Sequence, residues 1–227
     1  MATAYRSLVQ VEPVTADRWD DLVAVLGSSG GDGGCWDMFW RLTASEYAAS
    51  SRDRNRSSLR EVVETASVPA GLLAYRDGVP AGWISVGPRS AYRRLARSRH
   101  FPPVDDQPVF SVICFRVAPA HRNAGVSAKL IHAAVEHAGG HGAAAIEAYP
   151  VNTGGRRLDA LAAYCGTLDL FMAAGFRVVR EHTGAVSGGC PRVIVRRECA
   201  HVGHATLPSK EPGTSAGPGD LTEPRGC

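Results

Sequence analysis

The sequence predicts an α/β fold: a mixed central sheet of about seven strands with helices on both faces. Two segments carry that prediction. "GLLAYRDGVPAGWISVG" reads as a hairpin, Leu72 to Tyr75 and Ala81 to Val86, because apolar runs flank an Asp77-Gly78 pair suited to left-handed backbone. "FRVAPAHRNAGVSAKL" links an apolar strand, 109 to 117, through a Pro turn to a helix over 126–138, and "AAAIEAY" supplies a further strand at 143–149. Two strands joined by a helical crossover lie parallel, so a sheet holding both units is mixed.

The remaining elements follow in order. A short strand near Ser7 to Val11 leads into a helix capped by Thr15 or Asp17 and ending near Leu26. The Gly-rich stretch 27–34, "GSSGGDGG", follows a helix instead of a strand, so it reads as a connector and not as a phosphate loop. A helical segment spans about 36–49, and another, capped near Ser57 or Ser58, covers 59–66. The connection carrying Arg89, Arg93, Arg94, Arg97 and Arg99 reads as solvated, with an anionic partner as the sharper alternative. After the crossover, 161–174 reads as a helix stopped by Gly175, and 176–181 and 192–196 as closing strands. No internal repeat is visible.

The chain of 227 residues, 44% hydrophobic, suits one domain over about 5–200. The stretch 205–227 is rich in Pro, Gly, Ser and Thr and reads as a disordered tail. A formal charge of +3 is too small to imply nucleic acid, and no apolar run has the length of a membrane span, so a cytoplasmic protein is expected. The six cysteines form no C-x-x-C, and Cys114 and Cys165 read as reduced packing residues. Cys199, His201 and His204 fit no standard zinc spacing, and no metal is expected.

The junction "VAPAHRNAGVS", 117 to 127, places small residues where a helix begins and its first N–H groups point outward unpaired. That arrangement suits an anion such as a pyrophosphate, at ~0.3–1 kcal/mol per charge–dipole contact and up to ~2 when partly buried. With the order of elements, these residues resemble the GNAT superfamily of acyl-CoA-dependent N-acyltransferases. There, Arg/Gln-x-x-Gly-x-Gly/Ala joins the fourth strand to the third helix; Arg122, Gly125 and Ser127 take those places, Ser127 being a departure. "LFMAAGF", 170 to 176, matches a second feature, an aromatic followed by Gly-Phe at the end of the next helix. The resemblance covers about 72–197 and implies acetyl transfer from acetyl-CoA to a primary amine, in a ternary complex. It implies that acetyl-CoA lies along Phe115, Arg116 and Val117 and over Arg122, Asn123, Ala124, Gly125, Val126, Ser127 and Ala128, with Phe171 beside it. A homodimer is compatible with it.

Acyl transfer needs a free amine, and a Lys-like amine with a pKa near ~10.4 is neutral in only about one molecule in a few thousand at pH 7. A base therefore matters, as does a proton donor for the leaving thiolate. The strand position that carries a Glu base in some relatives is Ser111 here, and the aromatic that is often a Tyr donor is Phe171. Glu147, an acid in the apolar run "AIEAY", is the replacement candidate for base; the alternative is an ion pair with an Arg such as Arg177. Tyr149 and Tyr164 supply hydroxyls; a continuous helix would put Tyr164, the candidate donor, on the face of Phe171. Asp105 and Asp106 read as turn residues. Trp36 and Trp40, at i and i+4 in "CWDMFWRLTASEY", read as core, with an acceptor wall as the alternative. The departures at Ser111 and Phe171 also admit a catalytically silent acyl-CoA-binding or regulatory module. A plain nucleotide-phosphate site is disfavoured because no Gly-Lys-Ser/Thr follows the loop.

Overall fold

The computed structural model describes residues 8–159 and 161–200. In chain order its first half holds β1 (Val9–Pro13), α1 (Trp19–Leu26), α2 (Met38–Arg41), α3 (Ala44–Ala48), α4 (Arg52–Thr65), β2 (Gly71–Arg76), β3 (Val79–Pro88) and α5 (Arg93–Ala96). The second half holds β4 (Val109–Val117), α6 (Val126–Gly140), β5 (Ala145–Ala148), α7 (Leu168–Ala173), β6 (Arg177–Arg180), β7 (Val186–Ser187), β8 (Cys190–Pro191) and β9 (Ile194–Glu198). Seven strands form one sheet in the order β1-β2-β3-β4-β5-β9-β6, and β7 and β8 make a separate small hairpin. The pair joined by α6 is parallel, Val109 opposite Ala145 through Val112 opposite Ala148, as its crossover requires. The other strand pairs of this sheet are antiparallel.

Strand alternation divides the core between the two faces. One face packs Ile84, Val86, Phe110, Val112 and Ile146 against Val126, Leu130, Ile131 and Ala134 of α6, with Phe171 of α7 beside them. The other packs Leu73 and Trp83 against Trp19 and Leu22 of α1 and Leu59 of α4. Further along that second face, Ile113, Tyr149 and Ile194 meet Trp40, Tyr92, Leu95 and Phe101. Each such side chain, fully buried, contributes roughly 1.5–3 kcal/mol. Between β2 and β3, Asp77 (φ 51) and Gly78 (φ 81) are both left-handed, the turn their identities predict.

Several expected elements differ. The helix expected over 36–49 starts only at Met38, because Trp36 (φ 44) and Asp37 (φ 62) are left-handed, and it ends at the extended Leu42 (ψ 154), after which a Thr43–Glu46 capping box restarts the chain as α3. Trp36 and Trp40 therefore do not share a helical face: Trp36 stacks on Trp19, centroids 6.1 Å apart, and Trp40 meets Phe101 at 6.0 Å. Helix α4 starts earlier than expected, capped by Ser51, because its first turns are charged and carry no apolar period to read. The helix expected over 161–174 shrinks to α7; Gly166 (φ 79) interrupts it, so Tyr164 is not on a helical face with Phe171. The Gly-rich stretch is folded and not a loose connector: the Trp36 indole lies where a Cβ on Gly30 would sit, 2.1 Å away, and Asn55 Nδ2 donates to Gly34 O at 3.0 Å. The Arg-rich connection is also partly docked, Arg94 lying 4.1 Å over the Phe39 ring and Arg93 pairing with Glu46 at 2.8 Å. Residues 201–227, including His201, His204 and the expected tail, lie outside the described residues.

Candidate active site

The turn that the sequence singled out is built as an open cradle. After β4 the chain makes a short 3-10 turn, Pro119–His121, and Arg122 Nε donates to Val117 O at 3.4 Å, tying the turn to the strand. Asn123 (φ 60) and Gly125 (φ 77) are left-handed, and Gly125 is the N-cap from which α6 springs. Among the described residues no atom lies within 4 Å of a Cβ built on Gly125, so glycine is needed here for its backbone angle. The amides of Val126, Ser127 and Ala128 belong to the first turn of α6 and have no partner within the helix. The Val126 side chain is buried in the core, fixing the helix start, while Arg122, Asn123, Gly125 and Ala128 are exposed and Ala124 and Ser127 half-buried.

The end of β4 adjoins this cradle. Ser85 lies opposite Cys114 and Val86 opposite Val112, so the β3–β4 ladder skips Ile113 in a bulge. Pairing with β5 stops at Val112, and beyond it another stretch of chain enters the gap. Phe115 N–H donates to Tyr164 O at 2.8 Å, while Val151 N–H donates to Gly166 O at 3.0 Å and Val151 O accepts from Leu168 N–H at 2.9 Å. Ser187 Oγ, at the end of β7, fastens this stretch by donating to Ala162 O at 2.7 Å. Arg116 is turned to the opposite side, its Nε donating to Val25 O at 3.0 Å. Phe115 and Val117 lean on the core face of α6. Phe171, expected at the cofactor, is fully buried in that core, edge-on to Phe176 with centroids 5.1 Å apart, as an aromatic without a hydroxyl permits.

On the other face two buried polar networks lie beneath α2 and α5. In the first, Glu147 sits opposite Ser111 on β4 and Arg196 on β9. Arg196 donates to Glu147 Oε1 through Nη2 (2.7 Å) and Nε (3.1 Å), and Arg89 Nη1 donates to Oε2 at 3.4 Å. The pairing partners are therefore Arg196 and Arg89, and Arg177 pairs instead with Glu198 at 2.8 Å. Asp105 also holds Arg196, while accepting from Gln107 N–H in the expected turn at 3.1 Å. Ser111 Oγ and Tyr149 Oη are 2.9 Å apart, and the Tyr149 hydroxyl reaches Glu147 Oε2 at 3.3 Å. Burial pushes the Tyr149 phenol well above its usual range. Tyr164 lies on a different branch: Arg192 Nη1 donates to its Oη at 3.2 Å, and Arg192 Nη2 donates to Tyr149 O at 2.7 Å. Burial raises the Tyr164 phenol, which keeps its proton.

The second network was not anticipated. Asp37 Oδ2 accepts from the Ser85 hydroxyl at 2.7 Å and from Arg41 Nε at 3.0 Å, and Arg41 Nη2 also donates to Ala70 O at 3.1 Å. Tyr92 Oη lies 3.4 Å from Ser85 Oγ, its phenol pushed up to about 12 by burial. Burial likewise raises the Asp37 carboxyl, against the opposing pull of Arg41. The signal was present in the sequence: an acid inside "CWDMFW" is as anomalous as Glu147 in its strand. The aromatic spacing, read as an unbroken helix, concealed it.

The sequence model of the Acetyltransferase (GNAT) family matches residues 36–166, more than half of the chain and a span that contains the cradle, the bulge, the Asp37 network and all of the Glu147 network except Arg192 and Arg196. Among solved structures, a GNAT-family protein from Desulfovibrio desulfuricans is similar, with 19% identity and a TM-score of 0.51 over 85% of this chain and 100% of that one. An N-acetyltransferase from Staphylococcus aureus Mu50 has 12% identity and a TM-score of 0.50, covering 86% of this chain and 100% of its own. At these identities the two likenesses bear on the fold alone. No curated protein matches the chain.

Proposed function

The chain belongs to the GNAT acetyltransferase family, and from that premise we propose that it transfers an acetyl group from acetyl-CoA to a primary amine by direct attack in a ternary complex. The observation that carries this reading is the cradle: three first-turn amides of a fifteen-residue helix and a left-handed Gly125, open to solvent at the end of a strand that has left its partner. Such amides and the positive end of the helix dipole suit a pyrophosphate held over 122–128. The amide-bearing arm of the cofactor then runs along 115–117 and ends near the bulge. To pair with the Phe115 amide it displaces the Tyr164 carbonyl, so in this reading the stretch around Tyr164 moves on binding. Binding both substrates in line supplies much of the acceleration without a covalent intermediate.

Tyr164 is the proposed proton donor to the leaving thiolate, since Arg192 donates to its oxygen and leaves the phenolic proton free to be given. Glu147, whose two oxygens are engaged by Arg196 and Arg89, suits a role in positioning this face of the sheet better than one in direct proton abstraction. Titration calorimetry with acetyl-CoA, set beside Gly125→Glu, tests the cofactor site: the variant is expected to lose binding, and equal affinity in both proteins would reject the assignment. Thiol release that depends on an added amine tests the reaction. A second reading, a silent acyl-CoA-binding module, is favoured by the plain Ser111 and Phe171 and by the occupied Phe115 amide. Tight CoA binding with no amine-dependent thiol release over a broad panel of primary amines would decide for it.

A further inference from the structure

Asp37 is presented by backbone that is unusual in one respect, a bulky left-handed residue placed directly before it. Trp36 and Asp37, with φ of 44 and 62, are consecutive non-glycine residues in the left-handed region, and such strain persists only where the surroundings enforce it. The Asp37 side chain is only 1% exposed. Its Oδ2 is saturated by Ser85 and Arg41, whereas Oδ1 has no hydrogen-bond partner among the described residues. A buried carboxylate oxygen without a partner is costly, and native structures rarely keep one without a use for it.

Its place in the fold suggests the use. Ser85, which fixes Oδ2, is the residue opposite Cys114 at the β3–β4 bulge, where the acyl end of the cofactor arrives in the function proposed above. A cleft of about 410 Å³ is lined by Met38, Arg41, Leu42, Val62, Val86 and Pro88 among others. Arg41 both lines that cleft and donates to Asp37, so one side chain links the cleft to the carboxylate. The titratable and charged groups facing Asp37 are Arg41 from α2, Cys35 from its own loop, Tyr92 from the start of α5 and Cys114 from β4. Burial raises both thiols and the phenol, leaving Arg41 as the charged neighbour.

We propose that Oδ1 of Asp37 is the atom that takes the proton from the acceptor ammonium. The inference rests on the acetyl-transfer reading. The ammonium gives one proton to Oδ1; the freed lone pair forms the C–N bond to the acyl carbon; the C–S bond breaks and its electron pair leaves on sulfur. The second proton shed by nitrogen as the amide forms balances the thiolate, and the proton on Asp37 returns to water. Burial makes this carboxylate a better proton acceptor near neutrality than an exposed one. The ionised form is the active one, so the rate falls as pH drops through its raised pKa.

The test compares two acceptors on the full chain: benzylamine, protonated at neutral pH, and aniline, neutral there. Both carry the amine on an apolar body, as the cleft lining suits. Asp37→Asn is expected to lose about 100-fold in kcat/KM with benzylamine, the lower end for a general base, and far less with aniline, while its affinity for CoA stays unchanged. Equal losses with both amines, or a parental rate and pH profile with both, would overturn the assignment. Should Asp37→Asn fail to fold, Ser85→Ala decides. Losing a donor to the ionised carboxylate, it should move the acidic limb of kcat/KM with benzylamine to higher pH, and an unmoved limb in a folded Ser85→Ala protein overturns the proposal. A wild-type chain that binds CoA but releases no thiol with either amine instead rejects the acetyl-transfer reading, and this inference with it.

Discussion

Replacing Glu147 by Gln keeps the shape of the side chain and removes one buried charge, a perturbation whose cost can be worked from the network around it. The carboxylate is 1% exposed, with Arg196 at 2.7 Å and Arg89 at 3.4 Å. Removing one partner of a buried ion pair typically costs ~3–5 kcal/mol, because the opposite charge is left uncompensated. Three features reduce that figure: Arg196 keeps Asp105, Arg89 keeps the Tyr149 hydroxyl and the Phe101 carbonyl, and Gln retains one acceptor oxygen. The expected loss is therefore about 2–4 kcal/mol. With a urea slope near ~2 kcal/mol per M, the unfolding midpoint should fall by about 1–2 M at unchanged slope. A midpoint within ~0.3 M of the parent would refute the argument, since it would mean that the charge compensates nothing. The folded variant also reports on chemistry. If it binds CoA but loses most of its rate and the fall in rate at low pH, Glu147 is itself the proton acceptor.

Gly166→Ala should destabilise by more than ~2 kcal/mol, because Gly166 is left-handed (φ 79) and a Cβ there would lie 2.7 Å from Phe171 Cε2; an unchanged thermal midpoint would show that this turn relaxes freely. His137 is pushed down to about 4 by burial and by His141 beside it, so the folded chain holds it neutral while the unfolded chain protonates it from pH ~6.5 downward. Its contribution is complete above that pH and is lost as pH falls toward 4, by roughly 1 kcal/mol after allowing for the partial exposure of the ring. Thermal melts from pH 7 to 4 should show this slope, and His137→Gln should flatten it; an equally steep variant would place the effect elsewhere.

The parts of the fold that could be read in advance are those where local chemistry and long-range packing agree. The Asp77-Gly78 turn, the β4–α6 junction and the parallel β4–β5 pair all belong to this class, because their residues permit few other arrangements. The breaks at Trp36–Asp37 and at Gly166 were harder to read. Aromatic and apolar residues at helical spacing signal a helix, and only tertiary contacts, such as the stacking of Trp36 on Trp19, draw the backbone away from it. The site shows the same division. The cradle lies within one contiguous stretch and was legible, whereas the partners of Glu147 come from residues 89 and 196, far apart in sequence, and nothing local distinguishes Arg196 from Arg177. Asp37 is an acid in an aromatic run, but the helical spacing of the aromatics around it masks the left-handed turn that buries it.

The aromatic residues of the second face give the chain an uneven optical signature. All four of its tryptophans, Trp19, Trp36, Trp40 and Trp83, pack on the face that carries α1 and α2, and the core beneath α6 and α7 contains none. Indole emission from this protein is therefore a one-sided gauge. It follows the surroundings of Asp37, which Trp36 adjoins and Trp40 follows by one helical turn, and it is largely blind to loosening around the cradle at α6. A ligand that settles over the cradle without disturbing the far face should leave the emission maximum where it was, while one that reaches the bulge should shift it.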